Sequence, residues 1–444
     1  MKSRFWNVVM LLTACCGVAQ AEGAAVWPGF RGADARGVSP VPVAESWSAT
    51  ESVSWKTDIP GRGWSSPIVW GDRIFLSTVV SSGAVEAPKK GLYFGGERPD
   101  VSKDEHQWKV ICLERASGKI AWDTTVRTGT PVLPVHVKNS YASETPVTDG
   151  KHVYVTFGGV GIYCLDVEGN LLWSHALEPQ PMRYNWGTAA GPALYKDRLY
   201  YVNDNETASY IAAIDAATGK EVWRTARDEK SNWSPPYVWE HDGQAEIVTT
   251  GSVAARSYGL DGTERWSLRG HSSIVIAQPY SADGLLYLTS GYVGDKSKPV
   301  YAIRPGATGD ITLAEGQTSN EFIAWSNTKI GPYNPSTLVA DGLLYVLYDR
   351  GMLSCYDAKT GEVKYERQKL EGSAGFTVSP WAAGGKIYCL DEDGKCYVLK
   401  AGDTFELLRT NTLAADDMCM ATPALVDGQI ILRTAARVYA FARP

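Results

Sequence analysis

The sequence predicts an all-β protein, an eight-bladed β-propeller built of four-stranded antiparallel blades. Two landmarks recur along the chain about every 40 to 50 residues, a period typical of repeat folds such as propellers. The composition agrees, since 44 Gly, 16 Trp and 23 Tyr in 444 residues favour many short strands joined by tight turns. Helical periodicity is almost absent, so the repeat unit is a sheet.

The first landmark is a strand start in which Ser, Thr, Gly or a similar residue precedes proline, followed four or five residues later by a turn rich in Gly and Asp. It occurs eight times, at Pro67, Pro146, Pro192, Pro236, Pro279, Thr337 (in place of proline), Pro380 and Pro423. Longer gaps precede Pro146 and Thr337, and we interpret them as insertions in blades one and five. Eight starts predict eight blades.

The second landmark is a strand, a glycine-containing turn and an aromatic residue, as in "AIDAATGKEVW". The aromatic residues are Trp122, Trp173, Trp223, Trp266, Trp325 and Tyr365, and the seventh repeat lacks one. Glycine supplies the positive φ that a tight hairpin needs. An aromatic residue repeated at one position in nearly every blade is expected to pack the blades together.

The sequence after Pro423 supplies only three of the four strands of the last blade. After Pro423 the chain has only the segments "QIILRTAA" and "RVYAFARP", which leaves that blade without its outermost, Trp-bearing strand. The segment "SWKTDIP", with Trp55, has the required pattern near the front of the chain. We therefore predict that residues 50–60 complete the last blade and close the ring, so that no edge strand stays unpaired inside it.

The amino terminus predicts export. Basic residues, an apolar run and small residues at Ala19 and Ala21 are typical of a secretory signal, so we divide the chain into a signal peptide (1–21), an N-terminal extension (22–49) and the propeller (50–444). "LTAC" also resembles a lipoprotein box, with a lipid anchor at Cys15 as the alternative to a soluble chain. We expect a periplasmic or secreted monomer without a transmembrane span.

The charge argues against nucleic acid as a partner. There are 43 Lys and Arg against 49 Asp and Glu, a net charge of −6, and no basic run that could follow a phosphate backbone.

The repeat resembles that of the pyrroloquinoline-quinone-like propellers, a superfamily that includes quinoprotein alcohol dehydrogenases and the non-enzymatic outer-membrane assembly lipoprotein BamB. Stretches such as "KNSYASETPVTDG" and "RDEKSNWSPP" are similar to a large bacterial family of secreted single-domain propellers. The resemblance implies the fold, whereas function depends on the site.

Six cysteines follow the signal segment. Cys112, Cys164, Cys355 and Cys396 are aligned at one repeat position, filled elsewhere by Ala213, Gly259, Ala302 and Ala440. A position that accepts Cys, Ala or Gly predicts packing of a small side chain between blades. Cys389 could reach Cys396 across a hairpin, and Cys419 is expected to be free near the channel. No Cys or His cluster indicates zinc.

Irregular loops predict where a ligand binds. The loops from the outer strand to the next inner strand, and from the second to the third strand, emerge on one face of a propeller. They are long, polar and aromatic here, and they include the insertion after Ser81 with Tyr93 and Arg98, whereas the opposite face has short turns apart from an insertion at 306–320. Such loops on a rigid scaffold usually bind. The candidates are Trp64, Lys138, Asn139, Tyr141, Glu144, Arg183, Asn185, Trp186, Asn203, Asp228, Lys230, Asn232, Trp233, Tyr292, Asp295, Tyr333, Asn334, Asp349 and Arg350.

We expect a non-catalytic scaffold, BamB-like by analogy of fold, that docks an envelope protein or polymer on this face and needs no cofactor or metal. The alternative is a dehydrogenase that oxidises alcohols or sugars with pyrroloquinoline quinone and calcium in the central funnel. Hydrolysis is disfavoured, because the sequence has no G-x-S-x-G motif and its six histidines are scattered.

Overall fold

A computed structural model describes residues 25–85, 87–92, 100–413 and 417–443. These residues form eight antiparallel sheets of four or five strands. The inner strands of blades one to five contact one another in turn around a central channel, as do those of blades six and seven, and the inner strand of blade eight contacts that of blade one. The predicted eight-bladed propeller is confirmed.

Each blade has four strands that run in sequence from the channel outwards, with blade eight as the exception. Their bounds are, for blade one, Ile68–Trp70, Arg73–Ser81, His106–Glu114 and Ile120–Gly129; for blade two, Val147–Thr148, His152–Phe157, Gly161–Asp166 and Leu171–Ala176; for blade three, Ala193–Tyr195, Arg198–Asn203, Tyr210–Asp215 and Glu221–Ala226; and for blade four, Tyr237–His241, Gln244–Thr249, Ala254–Tyr258 and Glu264–Arg269.

The second half repeats this order. The bounds are, for blade five, Tyr280–Ala282, Leu285–Thr289, Val300–Ile303 and Ile323–Asn327; for blade six, Leu338–Ala340, Leu343–Tyr348, Met352–Asp357 and Val363–Lys369; for blade seven, Trp381–Ala383, Lys386–Leu390, Lys395–Lys400 and Leu407–Thr412; and for blade eight, Ala424–Val426, Gln429–Arg433, Arg437–Phe441 and the outer strand Val53–Asp58. Three two-residue strands (Val26–Trp27, Val38–Ser39, Gly309–Asp310) and the 3-10 turn Arg183–Asn185 complete the described elements. Within this part of the chain, no helix is long and apolar enough to cross a membrane.

The ring closes as predicted. Val53–Asp58 pairs antiparallel with Arg437–Phe441, which places Trp55 opposite Ala440. The Arg437 Nε donates to the Asp58 carboxylate at 2.9 Å across the same pair of strands. The front of the propeller sequence thus supplies the outer strand of its last blade.

The repeated tryptophans dock each blade onto the next. The Trp122 indole N–H donates to the carbonyl of Val167 at 2.9 Å, and a Cβ added to Gly169 would lie 2.6 Å from the same ring. Glycine is therefore required there both for its φ of 91° and for the close approach of the indole. Equivalent bonds of 2.8 to 3.0 Å run from Trp55 to Arg115, from Trp173 to Ala216, from Trp223 to Leu260 and from Trp325 to Ala358.

The insertion in blade five replaces one of these docking contacts. Gly309–Asp310 pairs in parallel with the outer strand of blade four, with Gly309 beside Trp266. The insertion therefore extends the sheet of blade four to five strands and covers a tryptophan that the regular turn would otherwise cover.

The predicted cysteine position needs correction in two blades. The residues opposite the outer-strand aromatics are Cys112, Cys164, Ala213, Ala302, Cys355 and Ala440 as expected, but blade four has Ser257 there. In blade seven, which lacks the aromatic residue, the equivalent position is Val398, opposite Arg409. Gly259 and Cys396 are each two residues away from this position along the chain. A β-bulge comes directly after this position and shifts the register of the two strands. The spacing of residues in the sequence does not reveal that shift.

All six described cysteines are free and buried, so the structure contains no disulfide between Cys389 and Cys396, the pair that the hairpin could have brought together. Leu390 is the strand partner of Cys396, whereas Cys389 pairs with Tyr397. Adjacent residues of a strand point to opposite faces, and the two thiols accordingly pack in different core clusters. Cys419 is free and near the channel as expected, since the next residue, Met420, lines the cavity, while Cys419 itself packs in the apolar core.

The N-terminal extension, in its described part, crosses one end of the channel. Val26–Trp27 pairs antiparallel with the inner strand of blade one, and Val38–Ser39 pairs in parallel with that of blade seven. Between them Arg31 is fully buried and donates from Nη2 to the carbonyl of Thr337 in blade six at 2.8 Å. The segment therefore lies across the channel at the face of the short turns. The signal segment and Cys15 lie outside the described residues.

Candidate functional site

The loops sort onto two faces as predicted. The long connection of blade one joins its second strand to its third, and the blade-five insertion joins its third strand to its fourth. In an up-and-down blade these connections lie at opposite ends of the channel. We call the end with the long connections the loop-rich face; Tyr93 and Arg98 of the blade-one insertion lie outside the described residues.

The channel contains a cavity of about 440 Å³, a size typical of ligand pockets. It extends from the loop-rich face down to Pro28, Gly29 and Phe30 of the N-terminal extension. The predicted residues that line it are Trp64, Lys138, Asn139, Trp186, Trp233, Tyr292, Tyr333 and Asn334. The irregular aromatics of the loops thus converge on one cavity.

The aromatic rings form a cluster at the mouth of the cavity. The ring centroids of Trp186 and Trp233 are 5.8 Å apart and tilted, and those of Tyr292 and Tyr333 are 5.3 Å apart in an edge-on arrangement. Trp233 is fixed by a hydrogen bond of 2.7 Å from its indole N–H to the carbonyl of Gly187. These distances lie in the range of favourable ring pairs, so the mouth is rigid and apolar with polar edges.

A buried ion pair ties the blade-one insertion across the mouth. Lys138 Nζ lies 2.5 Å from Glu392 Oε1, and both side chains are buried. Gly91 of the insertion donates its N–H to Glu392 Oε2 at 2.7 Å and accepts from Lys138 Nζ at 2.8 Å. Thr377 donates to the same carboxylate at 2.7 Å. The charge of Lys138 is therefore neutralised by blade seven.

Two candidate acids support loops. Glu144 accepts from the N–H of Gly158 at 3.1 Å and from the hydroxyl of Thr188, and Asp349 accepts from the N–H groups of Tyr333 and Asn334, both at 2.9 Å. Burial raises the pKa of both carboxyl groups. Both are turned to backbone groups and do not line the cavity.

Five further candidates also lie off the cavity and form hydrogen bonds with nearby loop or strand residues. Tyr141 donates to Leu133, Arg183 to Ser273, Asn203 to Tyr210 and Asn232 to Thr250, and Asp295 accepts from Ser273. They hold the loops in place. The remaining candidates, Asn185, Asp228, Lys230 and Arg350, are exposed on the loop-rich face.

Sequence reasoning missed three contributors to the site. Glu392 lies in the connection from the second to the third strand of blade seven. The rule that sorts loops by face would have placed it at the mouth beside Lys138. Phe30 and Leu92 line the cavity from segments outside the repeat. Their only signal in the sequence is an aromatic or apolar residue in a stretch with no strand pattern.

A buried histidine on this side predicts sensitivity to acid. Burial lowers the pKa of His271 from 6.5 to about 4. Because the folded pKa lies below the unfolded value, the stabilisation is complete above pH 6.5 and is lost as the pH falls towards 4. We expect the free energy of unfolding to fall by about 2 kcal/mol between pH 7 and pH 5 from this group alone.

Urea titrations at the two pH values would measure the effect, with His271→Asn as the comparison. If the free energy of unfolding of the wild-type protein falls by no more than that of the variant between the two pH values, the assignment to His271 is contradicted.

The described lining offers one cationic side chain to the quinone of the dehydrogenase alternative. Lys138 is the only Lys or Arg in the described lining, and it is paired with Glu392. Pyrroloquinoline quinone carries three carboxylates that need cationic partners. Across residues 25–85, 87–92, 100–413 and 417–443, no group of three or more His, Cys, Asp or Glu could hold a metal ion.

Comparison with known proteins assigns the family. Residues 101–207, 207–332 and 323–442 match a family model described as outer membrane protein assembly factor BamB. Outer membrane protein assembly factor BamB of Yersinia pestis is 20% identical over 321 residues, which span 70% of this chain and 75% of that protein.

Two solved structures share the fold. BamB from Moraxella catarrhalis aligns with a TM-score of 0.53 at 14% identity over 75% of this chain and 93% of its own. A quinohemoprotein alcohol dehydrogenase from Pseudomonas putida HK5 aligns at 0.59 and 12% identity over 94% and 80%. At these identities the structural matches show the propeller alone. The family model, by contrast, matches most of the chain, which therefore belongs to the family of β-propellers described as outer membrane protein assembly factor BamB.

Proposed function

We propose that this protein is a non-catalytic scaffold of the bacterial envelope that docks a partner, a protein or a polymer, on its loop-rich face. The observation that carries the proposal is the difference between the two faces. Long loops with exposed polar residues surround the mouth on one side, whereas short turns, the blade-five insertion and the N-terminal extension occupy the other.

The loop-rich face has the character of a binding surface. Lys230, Arg350, Asp228 and Asn185 are exposed on it, while the residues beneath them are held by buried hydrogen bonds. A rigid surface with polar groups of both signs suits a specific partner, because little entropy is lost in ordering it. Membership of the BamB family supports a partner in the envelope.

Charge reversal on this face is expected to reduce partner capture. The test compares the wild-type protein with a Lys230→Glu/Arg350→Glu double variant in chemical cross-linking to an envelope fraction, followed by mass spectrometry. Lys220→Glu/Lys359→Glu is the matched control, because it changes the net charge equally at exposed turns of the opposite face. Equal recovery of the same partner by the wild-type protein and the face variant would exclude this surface.

A dehydrogenase would give a different result. Incubation of the purified protein with pyrroloquinoline quinone and calcium, followed by desalting, tests for a retained cofactor absorbance and for dye reduction with alcohols or aldoses. Because the described lining has one cation, Lys138, and three quinone carboxylates need partners, we expect neither. A retained chromophore with dye reduction would replace the scaffold proposal.

A further inference from the structure

The channel has a ring of residues, one from each blade, immediately before the inner strands. The members are Ser66, Thr145, Gly191, Pro235, Gln278, Ser336, Ser379 and Thr422, and all of them line the cavity. They are the residues before the proline, or before Thr337, of the first sequence landmark. The repeat that fixes the fold therefore also fixes the chemistry of the channel wall.

The hydroxyls of this ring accept hydrogen bonds from the neighbouring blade. The N–H of Ser336 donates to Ser379 Oγ at 2.9 Å, and the N–H of Ser379 donates to Thr422 Oγ1 at 3.1 Å. Ser336 Oγ accepts from Gln278, and Thr145 Oγ1 accepts from Ser66. The hydroxyls of Thr145, Ser336, Ser379 and Thr422 are each positioned by a backbone donor, and among the described residues their own protons have no protein acceptor. The ring thus presents a set of oriented O–H donors.

Gln278 adds an unsatisfied amide to the ring. Its side chain is 9% exposed, and its Oε1 has no hydrogen-bond partner among the described residues. A sheltered carbonyl without a donor is costly unless a ligand or water supplies one. On the other side of the ring Gly191 and Pro235 present no polar side chain. Within this ring, the polar side chains therefore come from blades five to eight, one and two, and blades three and four contribute none.

The same two-sided character continues at the mouth. Trp186, Trp233, Tyr292 and Tyr333 line the cavity with aromatic rings. Lys138, the one lysine of the described lining, is neutralised by Glu392 at 2.5 Å. Aromatic rings carry a negative face that attracts C–H groups of partial positive charge. A ligand that fits has C–H faces, many hydroxyl oxygens and no net charge.

We infer that the channel binds the end of a neutral carbohydrate chain, with a sugar ring against the aromatic cluster and its hydroxyls on the ring of Ser, Thr and Gln278. Pyranose rings combine apolar C–H faces with equatorial hydroxyls that both donate and accept. This inference goes beyond the proposed function, because it concerns the interior of the channel and stands whether or not a partner docks on the outer face.

Titration with oligosaccharides tests it. The probes are neutral hexamers of glucose (both α-1,4 and β-1,4), mannose, xylose and N-acetylglucosamine, with hexagalacturonate as the anionic comparison. Tryptophan fluorescence and calorimetry follow binding. We expect at least one neutral hexamer to bind saturably with one site per chain, and hexagalacturonate to bind at least tenfold more weakly.

Channel variants locate the site. Gln278→Leu and Ser379→Ala are each expected to weaken binding of that hexamer at least tenfold, and Gln368→Leu, at an exposed glutamine of blade six, is expected to leave it unchanged. Tyr292→Ala provides a variant at the mouth should Gln278→Leu fail to fold. The Lys230→Glu/Arg350→Glu variant should retain carbohydrate binding, which separates this test from that of the outer face.

Three outcomes would overturn the inference. They are the absence of saturable binding by any neutral hexamer up to about 10 mM, a concentration that would reveal even a weak millimolar site; binding that survives the channel variants; and preference for the anionic hexamer.

Discussion

Replacing Trp55 with alanine is expected to lower the free energy of unfolding by about 3 to 5 kcal/mol, the range for loss of a buried aromatic side chain. Trp55 is 9% exposed, donates its indole N–H to Arg115 of blade one at 2.8 Å and packs on Gly118. It belongs to the strand that closes the ring. Its loss leaves a cavity at the one junction where strands from the two ends of the propeller sequence meet.

Urea denaturation followed by circular dichroism measures this change. Lys56→Ala is the matched control, because Lys56 lies on the same strand, pairs with Tyr439 and is exposed; a change below about 0.5 kcal/mol is expected there. Similar losses from both substitutions would mean that strand propensity, and not the docking of Trp55, stabilises the seam.

Replacing Arg227 with methionine is expected to cost about 3 to 5 kcal/mol, because it leaves a carboxylate buried without its partner. Arg227 and Asp204 are fully buried and 2.8 Å apart, and the guanidinium also donates to Thr249 and Tyr258. Desolvation raises the pKa of Asp204, and the guanidinium opposes that rise. The pair also holds Asn232, next to Trp233, since Asn232 Nδ2 donates to Asp204 at 3.3 Å.

Two further variants identify the cause. Arg224→Met removes an exposed pair with Glu221 and is expected to cost under about 1 kcal/mol. In the double variant Asp204→Asn/Arg227→Met no charge remains to be desolvated, and part of the stability should return. A double variant less stable than Arg227→Met alone would show that hydrogen bonds of Asp204 to other groups dominate.

The strand order was predictable because each blade repeats the same local signals. Proline and the turn residues specify the inner hairpin, and the glycine turn with its tryptophan specifies the outer one. The path of the N-terminal extension was not predictable, since Val26–Trp27 and Val38–Ser39 pair with strands distant in sequence and carry no repeat. Gly259 and Cys396 were assigned to the wrong repeat position for another reason. The β-bulge shifts the strand register between the outer strand and the turn.

The candidate site was predictable to the level of the face. Trp186, Trp233, Tyr292 and Tyr333 were found because they interrupt the repeat, and they converge on one cavity. The sequence alone could not distinguish these residues from Glu144, Asp349 or Asn232. A loop residue that supports the backbone and one that contacts a ligand can be of the same residue type. Only the geometry shows which side chains turn to backbone groups.

The seam between Asp58 and Arg437 has a consequence for biogenesis, because its two residues are 379 positions apart. At typical rates of translation, roughly 20 to 80 s pass between the synthesis of Val53–Asp58 and that of its partner strand, Arg437–Phe441. Throughout that interval the hydrogen-bonding edge that pairs with Arg437–Phe441 stays uncovered and available to other chains. Holdase chaperones that shield nascent β-edges should therefore raise the yield of this protein more than that of a propeller whose last blade is formed by one continuous segment.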